Sequence, residues 1–388
     1  MRRNILLVGA FLPAAILWAA SPAKAQIGKF VPIPANSDAD HALTEINATT
    51  DPAQKLALID KFAAGPGTQG DMAIVADDTY VNYYISVKNY DKALEYGDKL
   101  FALDPDNFAN AVNMVRASAE KGDATKLFSY GEKASAILQR YKASPPPAGT
   151  SDESWNNQKV QALESAKDNI RYVEQLVYDG AYRTPEAAKR AALLVRFAQL
   201  FPDSAYANQA LGVAAASYQQ GQNGPKMLET ANGLLAKDPN NVGMLLLLAD
   251  YYSEKGEQLD KAESSAKKAI ATLASAQKPD GVSDEQWQTQ SALQKGLALS
   301  ALGQVNIAKH DTAQAVDNLK AAAPLLKSDA GAYARNQYRL GFALLNLKKV
   351  QDAKAALTEA ASVNSPYKAL AQDKLKSLPT VSAGRAKP

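Results

Sequence analysis

Two histidines, His41 and His310, are the only imidazoles in 388 residues, and there is no cysteine. Absent thiols exclude disulfides, thiolate metal clusters and cysteine nucleophiles. Two imidazoles leave little for a histidine metal site or a histidine general base. His41 falls near the start of the first helical stretch. His310 falls in a turn between Leu302-Gly303 and Ala315, and both read as solvated turn residues. Asp77-Asp78 is a tight acidic pair in a helical stretch. A glycosidase would need a second carboxylate facing the first across a cleft, whereas adjacent helix positions point apart, so a solvated helix face is expected. Gly65-Pro66-Gly67 and Gly70 are not followed by Lys-Ser/Thr, so no phosphate-binding loop is formed. The sequence therefore predicts no catalytic residue, no metal, no cofactor and no enzyme activity.

The elements that carry these residues are helices. Alanine, leucine, lysine, glutamate and glutamine, all good helix formers, dominate from about residue 40 to 378, and no stretch alternates like a strand. Residues 26–40, with Pro32 and Pro34, read as an extended lead-in. Residues 41–72 read as an N-terminal helical cap, and 379–388 as a disordered tail. Ahead of these, Met1-Arg2-Arg3-Asn4, the apolar run Ile5 to Ala20 and Ala23-Lys24-Ala25 form the pattern of a secretory signal peptide over 1–25. Its apolar run is shorter than the roughly 20 residues a membrane span needs. Export to the periplasm or cell envelope, or secretion, is expected, with no transmembrane span in the mature chain. The alanine-rich composition and the signal suit a bacterium with an outer membrane. The signal contains Arg2, Arg3 and Lys24 and no acid, so 40 basic and 40 acidic residues remain after it. The formal charge of +3 belongs to the signal, and nucleic acid is not an expected partner.

A mature chain of this length is too long for one helical core, and it repeats instead. Tyr96-Gly97-Asp98-Lys99 recurs as Tyr130-Gly131-Glu132-Lys133, and Asp104-Pro105-Asp106-Asn107 recurs as Asp238-Pro239-Asn240-Asn241. The first displacement is that of a helix–turn–helix repeat. Leu248-Ala249, Tyr252 and Gly256 keep a common spacing. So do Leu302-Gly303 with Ala315 and Leu319, and Leu340-Gly341 with Leu344, Ala353, Leu357 and Ala360. Small residues let paired helices approach, large ones fill the space between, and Pro105, Pro239 and Pro366 end a helix. In these residues the chain resembles the tetratricopeptide-repeat (TPR) family over roughly 73–376, although Gly97 and Gly131 stand where a bulky side chain is usual. The resemblance implies an all-α, right-handed superhelical solenoid of antiparallel helix pairs.

A longer repeat divides the array into block 1 (73–204) and block 2 (205–378, ending in a capping helix). Gly149-Thr150-Ser151-Asp152-Glu153-Ser154-Trp155 matches Gly281-Val282-Ser283-Asp284-Glu285-Gln286-Trp287, which suggests a tandem duplication of a four-repeat block. In the second copy Ser283 and Gln286 predict a capping box, with Asp284 and Glu285 suited to the helix dipole. Both tryptophans read as staples that fix helix entry.

The resemblance further implies that the first helix of each pair lines a concave groove. By register this face includes Asp78 and Asn82, Asn113 and Arg116, Gln209 and Gln220, Asp250 and Glu254, then Arg335, Tyr338, Arg339 and Phe342. Asn82 and Asn113 match the two asparagines with which some TPR domains grip a peptide carboxylate, but Asp78 takes the place of the lysine. The candidate contacts are Asn82, Asn113, Arg116, Asp250, Arg335, Tyr338 and Arg339. The expected function is a non-enzymatic scaffold or adaptor that binds a peptide or protein in its groove. An envelope module for a glycan or small molecule is the alternative, and self-association is compatible with open solenoid ends.

Overall fold

The computed structural model describes residues 26–378; the expected signal peptide over 1–25 and the expected tail over 379–388 lie outside the described residues. Within them the chain is all α, with 17 α-helices and no strand. The described residues divide into two compact units, residues 26–183 with 199–206, and residues 184–198 with 207–378.

The first unit opens with a cap of α1 (Asp38–Ala48) and α2 (Pro52–Ala64). Two antiparallel pairs follow, α3 (Met72–Ser86) with α4 (Tyr90–Leu103) and α5 (Phe108–Lys121) with α6 (Ala124–Ala143), and then α7 (Asp152–Tyr182). The second unit holds most of α8 (Ala187–Leu200). It continues through α9 (Ala207–Gln220) and α10 (Gly224–Lys237), α11 (Val242–Lys255) and α12 (Leu259–Ser275), and α13 (Asp284–Ala308) and α14 (Thr312–Ala322). The pair α15 (Ala330–Asn346) and α16 (Val350–Ser362) follows, and α17 (Tyr367–Lys376) covers its end. We call the first helix of each pair A and the second B.

Short polar residues start these helices. Asn89, Asn107, Asp123, Asn223, Asn241 and Asp311 each accept from a backbone N–H in the first turn, which satisfies amides the helix leaves orphaned. Each A helix then turns into its B partner through a residue in the left-handed region, and the α11–α12 turn has a second one, Gln258. Gly122 and Gly256 supply it at φ 74° and 67°, while Lys88, Gln222, His310 and Lys348 supply it at φ 57–62°. His310 is thus a turn residue set by backbone geometry. His41 lies on α1 and is exposed.

Packing follows a small-against-large rule. A Cβ built on Gly341 of α15 would stand 2.6 Å from Leu357 Cγ of α16, and one on Gly303 of α13 would stand 2.5 Å from Leu319 Cγ of α14. Gly97 and Gly131, unusual in the sequence, have the same use between neighbouring pairs: Met114 of α5 and Val177 of α7 occupy the space a side chain would need. The buried apolar residues form clusters within each unit: Ile46, Ile59, Phe62 and Tyr80 in the first, and in the second one with Leu245, Ala249 and Leu302 and another with Leu319, Leu340 and Leu344. Each pair completes its apolar burial only through its neighbours, as in other repeat proteins.

The two Trp motifs start the two longest helices, α7 with 31 residues and α13 with 25. Ser283 and Gln286 form the expected capping box. Trp155 donates from its indole N–H to the Ser144 carbonyl at 2.9 Å and meets Tyr141 edge-on, so it closes the loop before α7.

Candidate functional site

On the A-helix face of the first unit, side chains form a short polar ladder. Asn113 of α5 donates from Nδ2 to Asn82 Oδ1 at 3.3 Å. Asn82 of α3 in turn donates to the Asp78 carbonyl at 2.9 Å and to its carboxylate at 3.0 Å. Asn82 is exposed and Asn113 half-buried, so the ladder remains open to a ligand. Asp78 is not the solvated residue expected. It is half-buried, and desolvation pushes its carboxyl up to about 6 despite the hydrogen bond from Asn82. Its neighbour Asp77 is also raised by desolvation, with Lys99 acting the other way. The solvated-face expectation fails because α3 carries the carboxylate against packed neighbours. Arg116, one turn beyond Asn113, lies within electrostatic range of Tyr172 on α7, as does Glu120. The face therefore offers amides, a guanidinium, a phenol and a carboxyl that titrates near neutrality. Tyr172 could not be found by repeat offset, because the length of α7 breaks the register.

The second unit treats its charged candidates differently. Arg335 of α15 reaches Asp250 of α11, with Nη1 at 2.9 and 3.2 Å from the two carboxylate oxygens. Arg339, one turn on, donates from Nη1 to the Ser300 hydroxyl at 3.0 Å and the Ser300 carbonyl at 3.2 Å, and from Nη2 to Glu254. Three A helices, α11, α13 and α15, are thereby tied by one neutral cluster of two arginines and two carboxylates. Arg339 is only 5% exposed and Arg335 20%, whereas Glu254 is 41% exposed. Burial depresses the Arg339 guanidinium, Arg335 beside it adds to the effect, and Glu254 and Asp250 oppose it. For Arg335 burial is the largest influence and disfavours the charge, but Asp250, Tyr367 and Glu254 together outweigh it and the net shift is upward. The guanidiniums are already committed to internal acceptors, with geometry suited to holding helices. Tyr338 packs on Tyr367 of α17 with ring centroids 5.7 Å apart, and Phe342 lies under the Lys374 ammonium. Ser300, which lets Arg339 seat its guanidinium on α13, and Tyr367 were not among the candidates. A small polar residue one turn before Gly303 was the available signal for Ser300.

Among the described residues, no group of three or more acidic or histidine side chains converges as a metal site, and no helix is long and apolar enough to cross a membrane. An open depression at the start of α13 is lined by Ser283, Glu285, Gln286, Thr289, Gln290, Leu293 and Ser328. Its wide mouth differs from the enclosed cavities that hold small molecules.

No family model matches the chain, and no curated protein matches it. Solved structures do. A chain of the APC/C hetero-tetramer Cut9–Hcn1 is similar at 13% identity and TM-score 0.41 over 87% of this chain and 62% of that one. The P58(IPK) TPR domain is similar at 14% identity and TM-score 0.30, over 88% of this chain and 97% of that one. Yeast Tom70 is similar at 12% identity and TM-score 0.31, over 88% and 96%. The chain's own helix pairs, left-handed A–B turns and small-against-large contacts make it an all-α array of repeated helix pairs. This chain spans under two thirds of the Cut9–Hcn1 chain it resembles.

Proposed function

We propose that this protein is an exported scaffold that binds an extended segment of a partner protein along the A-helix face of its first unit. The observation that carries the proposal is the Asn113–Asn82–Asp78 ladder. It presents side-chain amides from two successive A helices on an accessible face. An amide carries both donors and an acceptor, so a row of amides can pair with peptide N–H and C=O groups whatever the side chains between them. Packed helices lie about 8–10 Å apart, and an extended chain advances about 3.3 Å per residue. Successive ladder positions would therefore meet roughly every third residue of a bound segment. Arg116 supplies a charge anchor at one end. At the other, Asp78 replaces the cation that would hold a terminal carboxylate, which favours an internal segment over a free C-terminus. The committed state of Arg335 and Arg339 favours this face over the second unit's arginine pair.

The double substitution Asn82→Ala with Asn113→Ala tests the reading. Quantitative pull-down from envelope extract should show at least a tenfold loss of saturable partner capture, with the helical circular dichroism signal and melting temperature retained. Undiminished capture would remove the ladder from the binding site. Export rests on residues 1–25. Their fusion to a reporter active only outside the cytoplasm is expected to give activity, with a chain shortened at Ala25.

A further inference from the structure

The turn between α4 and α5 and the turn between α10 and α11 are built alike. The first is Asp104-Pro105-Asp106-Asn107 and the second Asp238-Pro239-Asn240-Asn241. The leading Asp closes the preceding helix in both, at φ −137°, ψ 87° and φ −128°, ψ 87°. The amide of the residue two on donates to that Asp side chain at 3.3 Å in one turn and 3.1 Å in the other. The Asn caps the following helix in both, accepting from Asn110 N–H at 2.9 Å and Met244 N–H at 3.2 Å.

Extended chain lies on the first turn. Ile27 is 5% exposed, and its carbonyl accepts from the Phe108 N–H at 3.2 Å. The Lys29 N–H donates to Asp104 Oδ2 at 2.9 Å. Gly28 between them has φ 121°, and a Cβ there would stand 2.9 Å from that carboxylate oxygen and 3.0 Å from Asn107 Cα. The seat thus reads a branched aliphatic side chain, a residue without a side chain, and a free N–H. It uses a first-turn helix amide, which the helix itself leaves unpaired, and one carboxylate oxygen. At the second turn the corresponding Val242 N–H meets no backbone acceptor among the described residues. Among the described residues Asp238 Oδ2 is held only by the Asn241 side chain, at 3.3 Å. Leu235 and Val242 remain partly exposed there.

We propose that the α10–α11 turn is a receptor for an extended segment of a partner protein with a branched aliphatic residue followed by glycine, the counterpart of Ile27–Gly28–Lys29. The seated copy on α4–α5 defines the ligand chemistry. The site shares no residue with the Asn ladder and stands independently of it. A second copy of this chain is the less suitable occupant, because its own Ile27–Lys29 is already held by an intramolecular seat on the same chain.

The test uses the mature chain and a labelled peptide with the sequence of residues 26–31, beside a control peptide with alanine in place of its glycine. Fluorescence anisotropy should show saturable binding at one peptide per chain, at least tenfold weaker for the control. Asp238→Ala should weaken binding at least tenfold. Asp238→Asn, which keeps an acceptor for the Asn240 N–H and so keeps the turn, should weaken it at least threefold. Nitrogen–proton correlation spectra should show the Val242 amide moving on titration. Equal binding of the two peptides, shifts confined to the Phe108 amide, or full affinity in both Asp238 variants would overturn the assignment. So would mass growth of the chain alone that Ile27→Ala abolishes, since that would make a second copy the occupant.

Discussion

Asp78 is the residue whose behaviour departs furthest from its sequence context. An adjacent pair of aspartates on a helix suggests solvation, yet desolvation lifts Asp78 to about 6 from 3.8. An acid whose folded pKa lies above its unfolded value contributes stability that is complete below the unfolded pKa and is lost as pH rises through the folded one. The contribution from Asp78 should therefore be present near pH 4 and gone above pH 6. Asp78→Asn removes the charge while keeping shape, and at pH 7 is expected to raise unfolding free energy by about 2 kcal/mol. Urea unfolding of both proteins from pH 4 to 7 checks this. The variant's advantage should shrink steadily toward pH 4, and a pH-independent difference would place the carboxylate in solvent. Glu263, drawn down to about 2 by Lys267 and Lys309, stays ionised across this window and does not interfere. Register alone placed Asn82 and Asn113 on one face, and Asp250, Glu254, Arg335 and Arg339 on another stretch of it, but not the pairing of those arginines with those carboxylates. Those partners are 85 residues away in the chain, and the contact depends on Ser300 leaving room across α13.

At the scale of elements, the small-against-large rule makes glycine positions inequivalent even inside helices. Gly341 faces Leu357, whose Cγ would lie 2.6 Å from an added Cβ, and Leu357 is fully buried. Gly233 of α10 has nothing within 4 Å and lies on an exposed position. Gly341→Ala is expected to destabilise by about 1–3 kcal/mol through overpacking. Gly233→Ala should stabilise by up to about 1 kcal/mol, since helix propensity acts there without a clash. Opposite shifts in melting temperature are the checkable outcome; shifts of the same sign would mean the α15–α16 contact can yield. The sequence revealed which glycines belong to the repeat, because Gly303 and Gly341 recur with a leucine ahead of them. It did not reveal what Gly97 and Gly131 accommodate, since Met114 and Val177 belong to later helices. The left-handed A–B turn was legible where glycine fills it, as at Gly256. Lys88, Gln222, His310 and Lys348 carry no such signature, which is why His310 could be placed in a turn but not assigned its backbone role.

For the whole molecule, 40 positive and 40 negative side chains beyond residue 25 leave little long-range field, so recognition and cohesion both depend on local pairing. The Asp250–Glu254–Ser300–Arg335–Arg339 cluster is the clearest instance, because it links three A helices that are distant in sequence. Removing one partner of a buried charge pair costs about 3–5 kcal/mol. The exposure of Glu254 at 41% lowers that cost, so Arg339→Ala should destabilise by about 2–3 kcal/mol. An array of stacked helix pairs transmits such a loss mainly to adjoining pairs, because each pair is held by its neighbours and not by one shared core. Hydrogen exchange read by mass spectrometry is expected to show faster exchange in α11, α13 and α15 of the variant, with α3 to α6 nearly unchanged. Uniform acceleration across all helices would show that the two units unfold as one cooperative body. If exchange changes only at α15, the cluster does not tie the three helices, and the arginines would return to candidacy as ligand contacts. The same measurement thus separates a structural from a recognition role for Arg335 and Arg339, which residue type and spacing alone leave equivalent.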